Sequence, residues 1–333
     1  MELRHLRYFI AVAEEGSFSN AAERRLHTAQ PSLSRQMRDL EQEVGVKLLE
    51  RKARGVGLTA AGQVFFDHAR LVLMQLDAAG EAARRAEQAP RPGFVVGFLA
   101  GQEVVWLSET LRILREEAPD VDVTISSLSS PELANALMQG RMDAALLRHE
   151  TETSGLAFKF LLKEPMLVIV PATHRLARQK SISPQDLARE TLIAASTKLA
   201  PVVRATIKEY ATRNGLALNR TYDAENLSAG MSLVASTGAV ALLPSYVTNV
   251  LIPGVVARPL QGEPPTVDLM LGYNKSNTSP LLKRFLARTD DLVAAIQKKP
   301  KTTAAADGVT AKPRARLTVP RDPRGGAKLL SKS

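Results

Sequence analysis

The 333-residue chain contains no cysteine, and that absence excludes disulfides, thiolate metal sites, a cysteine nucleophile and a thiol redox switch together. Long apolar runs are missing as well. No segment approaches the roughly eighteen consecutive apolar residues of a membrane span, and the opening Met1-Glu2-Leu3-Arg4-His5 lacks a basic stretch followed by an apolar run. The expected location is therefore the cytoplasm, with no membrane partner. Histidine is sparse: His5, His27, His68, His149 and His174 are scattered without metal-ligand spacing. Neither a glycine-flanked nucleophile nor a phosphate loop appears. Catalytic residues, a bound metal and a cofactor are accordingly not expected, and the chain reads as a binding protein rather than an enzyme. An exported solute-binding protein would need a leader and would leave the first ninety residues unexplained.

What is present is ordinary for a folded body: 45% hydrophobic and 23% charged residues, enough for one small and one larger domain. The net charge of +10 points to polyanions, but it is unevenly placed. Residues 1–90 carry 13 Lys and Arg against 12 Asp and Glu, whereas residues 300–333 carry 8 against 2. Local pattern must therefore carry any inference about DNA.

Leu3, Leu6, Ile10 and Ala13 recur at helical spacing up to Gly16. Ser17 and Ser19 are N-cap candidates for a short helix through Ala21, Ala22 and Leu26. A third helix starts near Ala29, with Pro31 in its first turn. Its apolar stripe, Leu33, Met37, Leu40 and Val44, leaves Ser34, Arg35 and Arg38 facing outward and Gln30 at the edge. Three short helices with a polar, basic last face suggest a helix-turn-helix. The basic, glycine-bearing stretch Arg51 to Leu58 then reads as a hairpin wing, and Thr59 caps a long helix. Ala61, Phe65, His68, Val72, Leu76, Ala79 and Ala83 form a seam along it. The simplest partner for that seam is a second copy of the same helix.

Pro90-Arg91-Pro92-Gly93 marks a boundary. Beyond it strands (Phe94 to Leu99, Val121 to Ile125, Met142 to Leu147) alternate with helices, and the alternation restarts at Met166 to Val170, which predicts an α/β domain in two lobes. Ligands of such sheets bind beyond the strands' carboxyl ends, so the loops near Ala100, Ser126, Arg148, Ser196 and Ala224 are the ones to watch. Residues 298–333, rich in Lys, Arg, Pro, Ala and Gly, read as a disordered basic tail.

Signature residues now converge. Leu3-Arg4-His5-Leu6-Arg7-Tyr8-Phe9, Gly16-Ser17-Phe18, Ala21-Ala22, Ala29-Gln30-Pro31-Ser32-Leu33-Ser34-Arg35-Gln36, Leu40-Glu41 and Leu58-Thr59-Ala60-Ala61-Gly62 resemble the DNA-binding domain of LysR-type transcriptional regulators. Gly140-Arg141-Met142-Asp143-Ala144 and Leu233 to Pro244 resemble that family's effector domain. The resemblance implies a multi-domain protein. An all-α winged helix-turn-helix (1–58) and a linker or dimerisation helix (59–90) precede a two-lobed α/β effector domain resembling periplasmic binding proteins (91–299). Lobe I would comprise 91–163 and 267–299, and lobe II 164–266. It also implies a homodimer or homotetramer that binds double-stranded promoter DNA, with RNA polymerase as a further partner, and that activates or represses in response to a small organic, anionic effector. The opening residues and Leu48-Leu49-Glu50-Arg51 look most like regulators of aromatic-compound degradation, so the expected effector is an aromatic acid or its catabolite. The alternative is an effector-independent or architectural repressor.

By resemblance, Gln30, Pro31, Ser34 and Arg35 enter the major groove, where Arg suits guanine and Gln adenine. Arg38 lies on the same outward face. Arg51, Lys52 and Arg54 suit phosphate or minor groove. For the effector, Ser129 and Ser130 stand before a helix, Ser196 and Thr197 offer the same chemistry from the other lobe, and Asn226 precedes another helix. Arg148, at a strand end, suits an anion. Where relatives often place Ser or Thr after the first strand of the effector domain, this chain has Gly101 and Gln102.

Overall fold

The structure, a computed structural model, describes residues 1–52, 55–88, 93–150 and 153–298. Helix α1 (Leu3–Glu15) ends at Gly16, whose φ of 61° is the left-handed turn glycine makes easily. Ser17 then caps Phe18–Asn20, which continues as a π-helical turn, Ala21–Arg25, together α2. Helix α3 (Gln30–Val44) buries Leu33, Met37 and Leu40 against Phe9, Val12 and Ala21. The antiparallel wing follows as β1 (Leu49–Lys52) and β2 (Gly55–Leu58).

Two glycines let the wing and the next helix approach the helical core. A Cβ on Gly55 would overlap the carbonyl oxygen of Gly16, the same oxygen that accepts from Val56 N at 2.8 Å. A Cβ on Gly62 would overlap the Leu48 carbonyl oxygen. Helix α4 (Ala60–Gln88) therefore leaves the wing in close contact, with Gly62 N donating to the Thr59 hydroxyl at 2.9 Å.

The sequence reading gave α4 a single seam, and the structure corrects it. Phe65 packs edge-on against Phe9, with 5.1 Å between ring centroids, so it belongs with Gly62, Phe66 and Ala69 on an inner face. The other seam members, Ala61, His68, Val72, Leu76, Ala79 and Ala83, remain exposed on their own protomer. The helix thus has two apolar faces, one already covered.

The α/β region comprises β3 (Gly93–Leu99), α5 (Glu103–Glu117), β4 (Asp122–Leu128), α6 (Ser130–Met138), β5 (Ala144–Leu147), β6 (Leu156–Pro171), α7 (Pro184–Leu187), β7 (Thr191–Ala195), α8 (Pro201–Arg213), β8 (Asn219–Ala224), α9 (Leu227–Thr237), β9 (Val240–Pro244), β10 (Val255–Pro259), β11 (Thr266–Asn274), α10 (Pro280–Ala287) and α11 (Thr289–Lys298). Strand order is β4-β3-β5-β11-β6-β9-β7-β8, with β10 also on β6. The expected strand at Met166 to Val170 is only the distal part of β6, which runs 16 residues. Its first part pairs with β11 from Leu156↔Asn274 to Pro165↔Thr266; its last part pairs with β9 and β10. One strand therefore belongs to both lobes, and β11 brings the chain back to the first.

Each lobe buries apolar residues on both sheet faces: Phe94, Trp106, Ile113 and Phe285 opposite Leu133, Leu137 and Leu147 in lobe I. In lobe II, Val168, Leu192 and Leu242 lie opposite Ile169, Val234 and Val247. Burial on both faces explains the continuous apolar runs of β5 and β9. The carboxyl ends of β3, β5, β7 and β9 converge where the lobes meet.

Candidate DNA interface and effector cavity

The buried stripe of α3 fixes which residues point outward. Gln30, Pro31, Arg35 and Arg38 are exposed and Ser34 is half-buried. Helix α1 braces α3 from behind: Glu2 N donates to His5 Nδ1 at 3.1 Å, which leaves His5 Nε2 as the donor to Gln36 Oε1 at 2.7 Å. The inner end of α3 is held by Glu41, whose carboxylate accepts from Lys47 Nζ at 2.6 Å and from the amides of Leu48 and Leu49 at 2.9 and 3.0 Å. Burial raises the Glu41 pKa, but these donors outweigh it and hold the carboxyl below its usual value. Helix α3 and the wing are thus fastened through one buried anion. On the wing, Lys52 is exposed and lies 3.6 Å from Glu50. Arg54 and the Arg51 side chain lie outside the described residues.

Between the lobes is a cavity of about 290 Å³. Its walls are mainly apolar, with Leu99, Ile193, Val203, Leu227 and Leu243 among them, and Ser129, Ser130, Arg148, Glu150, Asn226 and Tyr246 supply polar groups. Tyr246 joins the lobes by donating its hydroxyl to the Ala100 carbonyl at 3.1 Å, and burial pushes its pKa up to about 12. Next to this contact, Gly101 has φ 91°, and a Cβ there would sit 3.0 Å from both Leu227 Cδ2 and Tyr246 Cε2. A side chain at Gly101 would crowd Leu227 and Tyr246 as well as strain the backbone.

Arg148, only 2% exposed, is fixed by a buried polar chain. Trp106 Nε1 donates to Gln102 Oε1 at 3.0 Å, Gln102 Nε2 donates to both Glu164 oxygens at 3.1 Å, and Glu164 pairs with Arg148 Nη2. Arg148 N donates to Ser130 Oγ at 2.9 Å, and its guanidinium carbon lies 5.9 Å from the Tyr246 ring centroid. Such an arrangement orients a cation inside an apolar cleft and neutralises it on one side only.

A model of the bacterial regulatory helix-turn-helix proteins of the lysR family matches residues 3–63, and one of the LysR substrate binding domain matches residues 87–293. The chain belongs to the LysR family of transcriptional regulators. The Hca operon transcriptional activator HcaR of Escherichia coli is 37% identical over 300 residues, covering 89% of this chain and 99% of HcaR. The HTH-type transcriptional regulator AlsR of Bacillus subtilis is 32% identical, covering 86% of this chain and 94% of AlsR. Full-length CbnR, solved with its target DNA, superimposes with a TM-score of 0.52 at 26% identity, covering 88% of this chain and all of that one. The protein is thus a DNA-binding transcriptional regulator of the LysR type, with a winged helix-turn-helix domain and a two-lobed effector-binding domain.

Within this LysR frame, Ser129, Ser130, Arg148 and Asn226 come together on the cavity wall. The Ser129 hydroxyl is engaged by Glu132 at 2.6 Å in a capping box, and these bonds lower the Glu132 pKa. Asn226 Oδ1 caps α9 through Ala229 N at 2.8 Å. Gly101 and Gln102 do not line the cavity: one packs against Leu227 and Tyr246, the other supports Arg148 through Glu164. Ser196 and Thr197 do not line the cavity. The Ser196 hydroxyl accepts from Lys198 N at 3.2 Å, because α8 starts only at Pro201, and Ala195, Leu199 and Ala200 face the cleft instead. Glu150 and Tyr246 were absent from the sequence-based set. Glu150 lies two residues past Arg148 on the same strand-end loop, and Tyr246 lies two residues past Pro244 at the end of β9, so both carried a positional signal. Among the described residues, no helix is long and apolar enough to cross a membrane.

Proposed function

We propose that this LysR-type regulator reads promoter DNA through Gln30, Pro31, Ser34 and Arg35, positioned by Arg38 and by Arg51, Lys52 and Arg54 of the wing, and responds to an aromatic carboxylate. Residues 1–58 form the reader, 59–90 the dimerising linker, and 91–299 the effector domain, in a cytoplasmic homodimer or homotetramer that catalyses no reaction. The observation that carries the effector class is the one-sided neutralisation of Arg148. Nη2 is committed to Glu164, while Nε and Nη1 are buried without a partner among the described residues. A carboxylate can accept a charge-assisted hydrogen bond from either free nitrogen, Nε and Nη1 lying on different edges of the guanidinium, and the surrounding Leu, Ile and Val walls with Tyr246 suit a ring.

DNase footprinting on the protein's own promoter region, with and without millimolar aromatic carboxylates, tests both halves. The ligand is expected to shift the footprint, and Arg35→Ala to weaken binding by about 1–3 kcal/mol and relax base preference at one position. An unchanged footprint with every carboxylate would favour an effector-independent repressor. Unaltered affinity and preference in Arg35→Ala would remove α3 as the reader.

A further inference from the structure

The cavity wall holds a second buried polar group with nothing to bind. Glu150 is 6% exposed, and its Oε1 has no hydrogen-bond partner among the described residues. It does not lie within the 4.0 Å ion-pair distance of Arg148, which pairs with Glu164 instead. Burial holds the Glu150 carboxyl up at about 7 despite the pull of the Arg148 charge. Buried polar atoms in native folds are nearly always hydrogen-bonded, so orphan donors and an orphan acceptor on residues lining one cavity describe the ligand that would satisfy them. An unsubstituted carboxylate seated on one of the free Arg148 nitrogens would satisfy only a donor, and would bring a second negative charge into the cavity that Glu150 lines. A hydroxyl carried on the same ring supplies the missing donor.

We propose that Glu150 is a specificity-determining residue of the effector cavity, accepting a hydrogen bond from a ring hydroxyl, so that the regulator selects hydroxylated aromatic carboxylates over their unsubstituted parents. The inference rests on the aromatic-carboxylate reading and adds to it the chemistry of a second subsite.

The test is calorimetric titration of the full-length protein with benzoate and the three monohydroxybenzoates. At pH 8, above the Glu150 pKa of about 7, at least one hydroxybenzoate is expected to bind about tenfold more tightly than benzoate, the scale of a hydrogen bond to a charged acceptor. Glu150→Leu should abolish that preference while still binding benzoate, and Glu150→Gln, which keeps an acceptor oxygen and the side-chain volume, should retain part of it. The Gln variant also serves if the Leu variant fails to fold: its preference must then fall severalfold below wild type. Equal binding of benzoate and all three hydroxybenzoates by the wild type, or an undiminished preference in the variants, would overturn the role of Glu150 and leave the carboxylate reading standing. Absence of binding by all four at millimolar concentration would overturn the carboxylate reading, and this subsite with it.

Discussion

Two buried glutamates show how local donors, rather than burial alone, decide what a carboxyl does in this chain. Glu41 collects Lys47 and two amides and is held below its usual pKa; Glu150 has no such donors and rises to about 7. For Glu150 the folded pKa exceeds the ordinary 4.5, so the folded state is favoured below that value and loses stability as pH climbs through about 7. Replacing it with Gln mimics the protonated form. Thermal or urea unfolding of Glu150→Gln without ligand should match wild type near pH 4 and exceed it by roughly 2–3 kcal/mol near pH 8, at about 1.4 kcal/mol per pKa unit. Equal stability at pH 8 would mean that Glu150 finds a partner in the free protein. Residues of this kind are the ones sequence reading reaches least. Arg148 was legible because a lone arginine after an apolar strand is conspicuous. Glu164, which holds it, lies 16 residues away in the chain and meets it only through the pairing of strands in space. Gln102 was singled out for departing from the family pattern, but its attachment to Glu164 and Trp106 depends on the same tertiary contact.

At the level of elements, local periodicity served well where one face of a helix is buried by its neighbours. The stripe of α3 and the positions of β3, β4 and β5 follow directly from spacing and apolar runs. It served poorly for β6, whose proximal part carries Lys159, Lys163 and Glu164, and for β11, which restores lobe I by pairing antiparallel with β6 far back in the chain. Both owe their place to non-local partners. Helix α4 lies between these cases. Its inner face meets α1 near Phe65 and reaches lobe I further along, where Gln75 Oε1 accepts from the Ser276 hydroxyl at 2.7 Å and Gly140 accommodates Ala78. Its outer face, including Val72 at 46% and Leu76 at 38% exposure, makes no demand on the protomer's own fold. Val72→Glu combined with Leu76→Glu should therefore leave helix content intact while breaking self-association. Two aliphatic side chains withdrawn from an interface are worth about 1.5–3 kcal/mol each, so the dissociation constant should rise at least about 100-fold. Light scattering coupled to size exclusion reads the mass directly, and an unchanged oligomer would place the interface elsewhere.

Across the whole molecule, charge and recognition are assigned to different segments. The DNA-reading region is close to neutral, and +6 of the net +10 belongs to residues 300–333, which lie outside the described residues. On the proposed reading, sequence choice at the operator comes from the few side chains that α3 exposes, and a nearly neutral domain adds little indiscriminate attraction. Non-specific affinity is expected to have a different source. Each phosphate contact that releases a counterion contributes about 0.9 to the slope of log affinity against log salt, whatever the base sequence. A tail with eight basic residues, tethered to a reader already in place, should add several such contacts without adding discrimination. Deleting residues 300–333 should flatten the salt slope by about 2 or more per protomer and lower affinity for random DNA, while the ratio of operator to random binding stays level or rises. Fluorescence anisotropy on both duplexes at a series of salt concentrations gives the two slopes. An unaltered slope would show the tail to be a solubilising extension, and would require Lys52 and the remaining basic residues of the wing to account for all phosphate contacts made outside α3.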